Sequence, residues 1–193
     1  MNLNLISRKV RSNKKALTLV ELVLASFFMM LLLISATAIL FFESRFYMIS
    51  TARIGLQWEA NLIIDRLLRG ENAGGGRAIG LSEAVDTAPH PFLSSPNINF
   101  RSLNDATAIR SYRLGPTNTS IIYNDGTSDH TIYSIANING ASINALLFAQ
   151  PDNIAGNAVW PNIEIFVTLQ RNIGDTTITA SAQTIINIRN YKP

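Results

Sequence analysis

Lys14-Lys15-Ala16-Leu17-Thr18-Leu19-Val20-Glu21, followed by the run Leu22–Phe42 (LVLASFFMMLLLISATAILFF), decides how the rest of the chain can fold. The run has 21 residues and no charge. As a helix it measures about 31 Å, the thickness of a bilayer's hydrocarbon core. Glu21 is the one charged residue between Lys15 and Glu43. Arg8, Lys9, Arg11, Lys14 and Lys15 precede the run without any acidic residue. That asymmetry predicts a cytoplasmic N-terminus and a translocated C-terminal part.

The same residues account for the chain's net charge of +3 and pI of about 9.4. The first sixteen residues carry 5 of the 16 basic residues and none of the 13 acidic ones, so the remainder is 11 basic against 13 acidic, or −2. Beyond Glu43 there is no Lys/Arg run and no aromatic interleaving of the kind that follows phosphates, so composition gives no support for nucleic-acid binding. Cysteine is absent, which excludes disulfides, thiol catalysis and thiolate metal sites. The core has to hold by packing alone.

Beyond the apolar run no Pro or Gly occurs until Gly55. Phe46, Ile49, Arg53, Leu56, Ala60, Ile63 and Leu67 continue at 3-4 spacing, which predicts one helix carrying a core-facing stripe onward to about residue 70. The Gly-rich stretch Glu71–Gly80 (ENAGGGRAIG) is expected to end it, one of the adjacent glycines supplying a left-handed cap, and to serve as a linker. It fits no phosphate-loop spacing. Residues 71–97, with Pro89, Pro91 and Pro96, read as a Gly/Pro-rich loop region.

After residue 97 the period becomes two, giving expected strands at Ile98–Leu103, Ala108–Leu114, Ser120–Tyr123, Thr131–Ile135, Ile143–Phe148, Ile163–Gln170 and Thr176–Arg189. One hairpin should turn at Asn172-Ile173-Gly174-Asp175 and another at Asn124-Asp125-Gly126. The fold class is α+β: a long N-terminal helix packed on an antiparallel β-sheet domain. Its segments are 1–16, the apolar helix 17–42, an amphipathic continuation 43–70, the loop region 71–97 and the sheet domain 98–193.

The basic leader, Lys14-Lys15-Ala16-Leu17-Thr18-Leu19-Val20-Glu21 and the uninterrupted apolar run together resemble the prepilin signature of type IV pilins and type II secretion pseudopilins. The resemblance covers about the first 45 residues. It implies that residues 1–16 are a leader with its charge at Lys14 and Lys15, and that a membrane prepilin peptidase cuts between Ala16 and Leu17. It also implies N-methylation of Leu17 and a place for Glu21 in setting subunit register, its carboxylate pairing with the terminal amine of a neighbour. Ala16 stands where the family strongly prefers Gly, and Leu17 where it most often has Phe. The stretch Leu56–Arg69 and a final strand closing on Ile188-Arg189-Asn190 look like minor pilins and the J-type minor pseudopilin. The implied setting is the bacterial inner membrane, with the C-terminal domain periplasmic or extracellular. The implied partners are other pilin or pseudopilin subunits, the prepilin peptidase, the inner-membrane assembly platform and the lipid bilayer.

Glu21 also has a physical rationale. An acid within an apolar span costs up to about 3 kcal/mol if central, so it is a functional candidate by default. The competing reading is a Glu near the interface that reaches headgroups without a partner. A different rival is an ordinary secretory signal peptide, because Ala36-Thr37-Ala38 is an A-x-A site. Against it, the apolar run continues through Ile39-Leu40-Phe41-Phe42, and Glu21 lies inside the would-be apolar core.

Residues for chemistry are sparse. His90 and His130 are the only histidines, lie in different segments, and accompany no serine nucleophile motif or His-Glu-x-x-His helix, so no enzyme activity and no cofactor or metal site is expected. Asp125, Thr127 and Asp129 could collect oxygen ligands for calcium, but turn formation is the better reading, as the loop lacks the bidentate Glu. Asn118-Thr119-Ser120 reads as a loop, and Trp58 and Trp160 as core or loop packing.

Overall fold

The computed structural model describes residues 18–70, 72–73, 76–87, 94–102, 105–136, 138, 140–149 and 162–187. The chain divides into two compact units, Met1–Phe46 and Tyr47–Pro193. One helix, α1 (Leu19–Arg69, 51 residues), runs from the first into the second.

In the first unit α1 has the length and apolarity to cross a membrane, and none of its apolar window is buried against protein. The hydroxyls inside the run are satisfied by their own helix. Ser26 Oγ donates to the Val23 carbonyl (2.8 Å), Ser35 Oγ to Leu31 (2.8 Å), and Thr37 Oγ1 to Leu33 and Ile34 (3.0 and 2.9 Å). No side-chain donor on these residues is left for hydrocarbon to strand.

In the second unit α1 turns amphipathic. Ala52, Leu56, Ala60, Ile63, Ile64 and Leu67 are buried. The expected stripe is therefore correct from Leu56 onward, but its earlier part needs correcting: Arg53 and Phe46 are exposed, and Ala52 takes the buried place. A four-residue step turns the helix about 40° past a full turn and a three-residue step leaves it about 60° short, so Ala52 lies closer to the direction of Leu56 than Arg53 does. Trp58 is also a correction. It is 63% exposed, because two residues from both Leu56 and Ala60 is about 200° around the helix, the face opposite the core.

Gly70 stops the helix, and the later triple glycine does not. Its φ is +72°, the left-handed value glycine adopts freely, and its N–H donates to the Arg66 carbonyl at 2.9 Å. The region expected to be loop then holds short elements: β1 (Asn72–Ala73) paired with β2 (Gly76–Arg77), a 3₁₀ turn at Leu81–Glu83, β3 (Ala84–Thr87) and β4 (Ser94–Ser95). β1 and β2 are two residues each in a local hairpin, and β3 and β4 become strands by pairing with segments further along the chain, so no local alternation announces them.

All seven expected strands occur: β5 (Asn97–Ser102), β6 (Asp105–Leu114), β7 (Ser120–Asn124), β8 (Asp129–Ser134), β9 (Ala141–Ala149), β10 (Asn162–Ile173) and β11 (Thr176–Asn187). The last strand's expected close at Ile188–Asn190 lies outside the described residues, as does Trp160. They form two antiparallel sheets, with orders β11-β10-β9-β4 and β3-β5-β6-β7-β8. Pro96, between β4 and β5, lacks the N–H that would extend a ladder, and there the chain passes from one sheet to the other. The β10–β11 hairpin pairs one-to-one from Asn162↔Asn187 to Ile173↔Thr176 around the two-residue turn Gly174-Asp175. Gly174 there has φ +56°, as the first position of a II′ turn requires.

The core draws on both sheets. Ile163, Ile165, Val167 and Leu169 face inward from β10, and Ile178, Ala180 and Ala182 from β11. In the other sheet Phe100 stacks on Tyr112 (5.5 Å between ring centres), and Tyr112 meets Tyr123 at 5.2 Å. The buried Tyr112 hydroxyl donates to the Ile79 carbonyl at 2.6 Å, and burial pushes its pKa up. Opposite flanks of α1, nine residues apart, bond to the edge strand of each sheet. Gln57 Nε2 donates to the Ser181 carbonyl on β11 (3.0 Å), and Arg66 Nη1 to the Ile132 carbonyl on β8 (2.9 Å). Arg66 also lies over the Tyr133 ring at 5.3 Å, and Tyr133 donates its hydroxyl to Glu59 at 2.5 Å.

Candidate functional site

Of the residues singled out in the sequence, Glu21 lies within the described part of the chain, while Lys14, Lys15, Ala16 and Leu17 lie outside it. Glu21 is at the third helical position, and Thr18 is the cap. The Thr18 backbone N–H donates to Glu21 Oε2 at 2.9 Å, and the Thr18 hydroxyl donates to the same oxygen at 3.0 Å. In return the Glu21 N–H donates to Thr18 Oγ1 at 3.3 Å. This is a reciprocal capping box, which satisfies two backbone donors that a helix start leaves open.

The sequence reading treated Glu21 as an isolated acid and passed over Thr18 as a partner, although Thr18-Leu19-Val20-Glu21 has the Ser/Thr-x-x-Glu spacing that signals such a box. The carboxylate is thus held at the positive end of its own helix, where the macrodipole favours negative charge. Among the described residues its other oxygen, Oε1, accepts no hydrogen bond. The box therefore leaves one acceptor of the carboxylate for a cation from outside the helix.

The β7–β8 hairpin supplies the residues considered for calcium. Asp125 Oδ1 accepts from the Thr127 N–H (2.8 Å), the Thr127 hydroxyl (2.7 Å) and the Ser128 N–H (2.8 Å). Its Oδ2 contacts His130 Nε2 at 3.1 Å and the Ser128 hydroxyl at 3.3 Å. Both oxygens are thus occupied in shaping the turn. Asp129 is bonded by Asn124 Nδ2 at 2.8 Å and by Arg113. Serine, histidine and aspartate meet here, but both Ser128 and Asp125 contact the same ring nitrogen, Nε2. A proton relay needs the acid on one ring nitrogen and the hydroxyl on the other. Among the described residues no three His, Cys, Asp or Glu side chains form a metal-binding group.

These turns give the second unit a definite response to acid. Hydrogen bonds from Thr127 hold the Asp125 carboxyl well below its usual range, with Ser128 and His130 adding to the effect. Asn124 lowers Asp129, and Thr107 with the Ala108 N–H lowers Asp105. A carboxylate depressed in the folded state contributes stability above its unfolded pKa, about 3.9 for Asp, and loses it as pH falls below that. The melting temperature of the detergent-solubilised protein is expected to stay level from about pH 7 to 5 and to fall below about pH 4. Asp125→Asn should reduce the fall, and a melting temperature that is level into strong acid would contradict the assignment.

No protein-family model, curated protein or solved structure matches the chain.

Proposed function

We propose that the chain is a filament subunit anchored in the bacterial inner membrane, a minor pilin or pseudopilin of a type IV pilus or type II secretion system, and not an enzyme. Prepilin peptidase removes residues 1–16, Leu17 becomes the N-methylated first residue, and the subunit passes through the assembly platform to join other subunits. The observation that carries this reading is a helix capped at Thr18, immediately after the proposed cut, that holds the carboxylate of Glu21 in its first turn ahead of a 21-residue uncharged run. A cut before Leu17 leaves the cap intact and puts a free amine one residue from it. Continuity of α1 through Ala36-Thr37-Ala38 supports the reading against a signal-peptide cut there, since Thr37 is tied to two carbonyls of the preceding turn.

The test is the intact mass of protein extracted from membranes. The expected species begins at Leu17 and carries one methyl group. A mature terminus at Ile39 would assign processing to signal peptidase and remove the filament reading.

A further inference from the structure

An open cleft of about 700 Å³ in the second unit lies between α1 and the chain segments around Ile138 and Arg171–Ile173. Met48, Leu56, Ile138 and Ile173 give it apolar walls, and Trp58 stands exposed at the rim. Arg171 follows Ile163, Ile165, Val167 and Leu169 in phase on β10, so it enters the cleft from the inward-facing side of the strand. Its Nε is buried without a hydrogen-bond partner. Among the described residues no carboxylate pairs with it: Glu59, in the same cleft, accepts from Tyr133. A half-buried guanidinium whose Nε is cut off from water beside apolar walls is satisfied best by a carboxylate.

We infer that this cleft receives residues Phe42–Phe46 of a second copy of the chain, with the Glu43 carboxylate meeting Arg171 and the Phe42 and Phe46 rings covering the apolar walls. The chain supplies the complementary chemistry itself. Among the described carboxylates, Asp65, Asp105, Asp125, Asp129 and Glu164 have partners, as do Glu21, Glu59 and Glu83; Glu43 and the turn residue Asp175 are exposed, and of these two Glu43 is the one flanked by exposed aromatic rings. Glu43 is exposed and lies between rings that are 71% and 73% exposed, Phe42 and Phe46, four residues apart on one side of the helix. The two surfaces are different parts of one chain, so the contact is heterologous. Repeated from copy to copy it does not close on itself, and it builds an open filament. In parallel helices it sets neighbours about 14 Å apart along the axis, at 1.5 Å for each of the nine to ten residues between segment and cleft.

This inference rests on the subunit reading above and is tested in full-length protein in its own membrane. The chain has no cysteine, so two singly substituted copies, Phe46→Cys on the docking face and Asn172→Cys in the cleft, can be co-expressed without background disulfides. A disulfide-linked dimer is expected in the mixed membranes under oxidation and not with either copy alone, since the bond requires Cβ atoms within about 4.5 Å. Glu43→Arg in the first copy should lower the dimer yield about tenfold, and Arg171→Glu in the second should restore it. Glu43 lies outside the second unit, so the first of these effects does not depend on that unit tolerating a change. No dimer in mixed membranes, or wild-type yield with Glu43→Arg alone, overturns the contact. If subunits enter sheared filaments without the cross-link, the cleft assignment fails and the filament reading stands. If the dimer forms but nothing enters filaments, the filament reading fails and the contact stands.

Discussion

Glu21→Gln should give protein that inserts in the membrane and loses its leader normally, yet enters filaments about a hundredfold less than wild type, the factor that ~2.8 kcal/mol corresponds to. Insertion does not suffer, because removing a charge from an apolar span removes its transfer cost. The amide is chosen for the capping box. A Gln at the third helical position still offers a carbonyl oxygen to the Thr18 N–H, so the helix start survives while the charge is lost. If the carboxylate pairs with a neighbour's Leu17 amine, that amine is then left uncompensated in a low-dielectric bundle, which costs several kcal/mol. Glu21→Ala should fail at least as severely, and Glu21→Asp should keep part of the function. Thr18→Val supplies the converse: the cap is broken and the charge kept, so assembly should fall only modestly, by the ~1 kcal/mol a cap is worth. Incorporation is read by shearing and immunoblot beside a processing control. Wild-type incorporation by the Gln variant, with loss in the Thr18 variant, would leave Glu21 a capping residue and nothing more.

The strands were legible because β10 and β11 alternate without interruption, Ile163 to Leu169 and Ile178 to Ala182, and each is closed by a turn residue that only a hairpin uses well. Their division into two sheets was not. Alternation tells which face of a strand is buried but not which strand lies beside it, and the change of sheet at Pro96 falls among residues whose pairing is wholly tertiary. In β9 strict alternation is absent because Thr168 pairs with Ala145 and Leu169 with Ile143, so Asn144 is an extra residue and the buried phase shifts between Ile143 and Leu146. The site was half legible. Glu21 stood out as a lone acid in an apolar run, but Thr18, its partner in three hydrogen bonds, was present at the right spacing all along. Arg171 was passed over, although it continues the phase of four inward-facing apolar residues, Ile163, Ile165, Val167 and Leu169. What no local pattern could tell is that its Nε ends without a partner, since that depends on residues from α1 and the β8–β9 connection arriving at the same place.

The end of α1 supplies the second large effect, and it follows from backbone geometry. The chain leaving the helix at Gly70 is crossed by the segment Ala78–Gly80 so closely that neither glycine has room for a side chain. A Cβ on Gly70 would lie 2.0 Å from the Ala78 carbonyl oxygen, and one on Gly80 would lie 2.1 Å from the Leu68 carbonyl oxygen. Both obstacles are backbone, which no rotamer change can move. Around the crossing, Ala78 and Leu81 are fully buried, Ser82 Oγ donates to the Leu68 carbonyl at 2.6 Å, and the Ile79 carbonyl accepts the Tyr112 hydroxyl. Pushing the segment away therefore opens the core and leaves a buried phenol without its acceptor. Gly80 has an ordinary φ of −71°, so Gly80→Ala isolates the steric part, about 1–3 kcal/mol. Gly70→Ala adds the left-handed penalty of about 1–2 kcal/mol. At about 3 °C per kcal/mol for a unit of this size, Gly80→Ala should melt about 3–9 °C lower than wild type and Gly70→Ala lower still. Gly55 is the control, because a Cβ there meets nothing within 4 Å and its position is helical. Gly55→Ala should raise the melting temperature by the ~1 kcal/mol of helix propensity that glycine forgoes. The order expected by thermal circular dichroism is Gly55→Ala above wild type, then Gly80→Ala, then Gly70→Ala. A Gly80→Ala protein that melts with the wild type would mean that the helix end and the Ala78–Gly80 segment do not cross at contact distance.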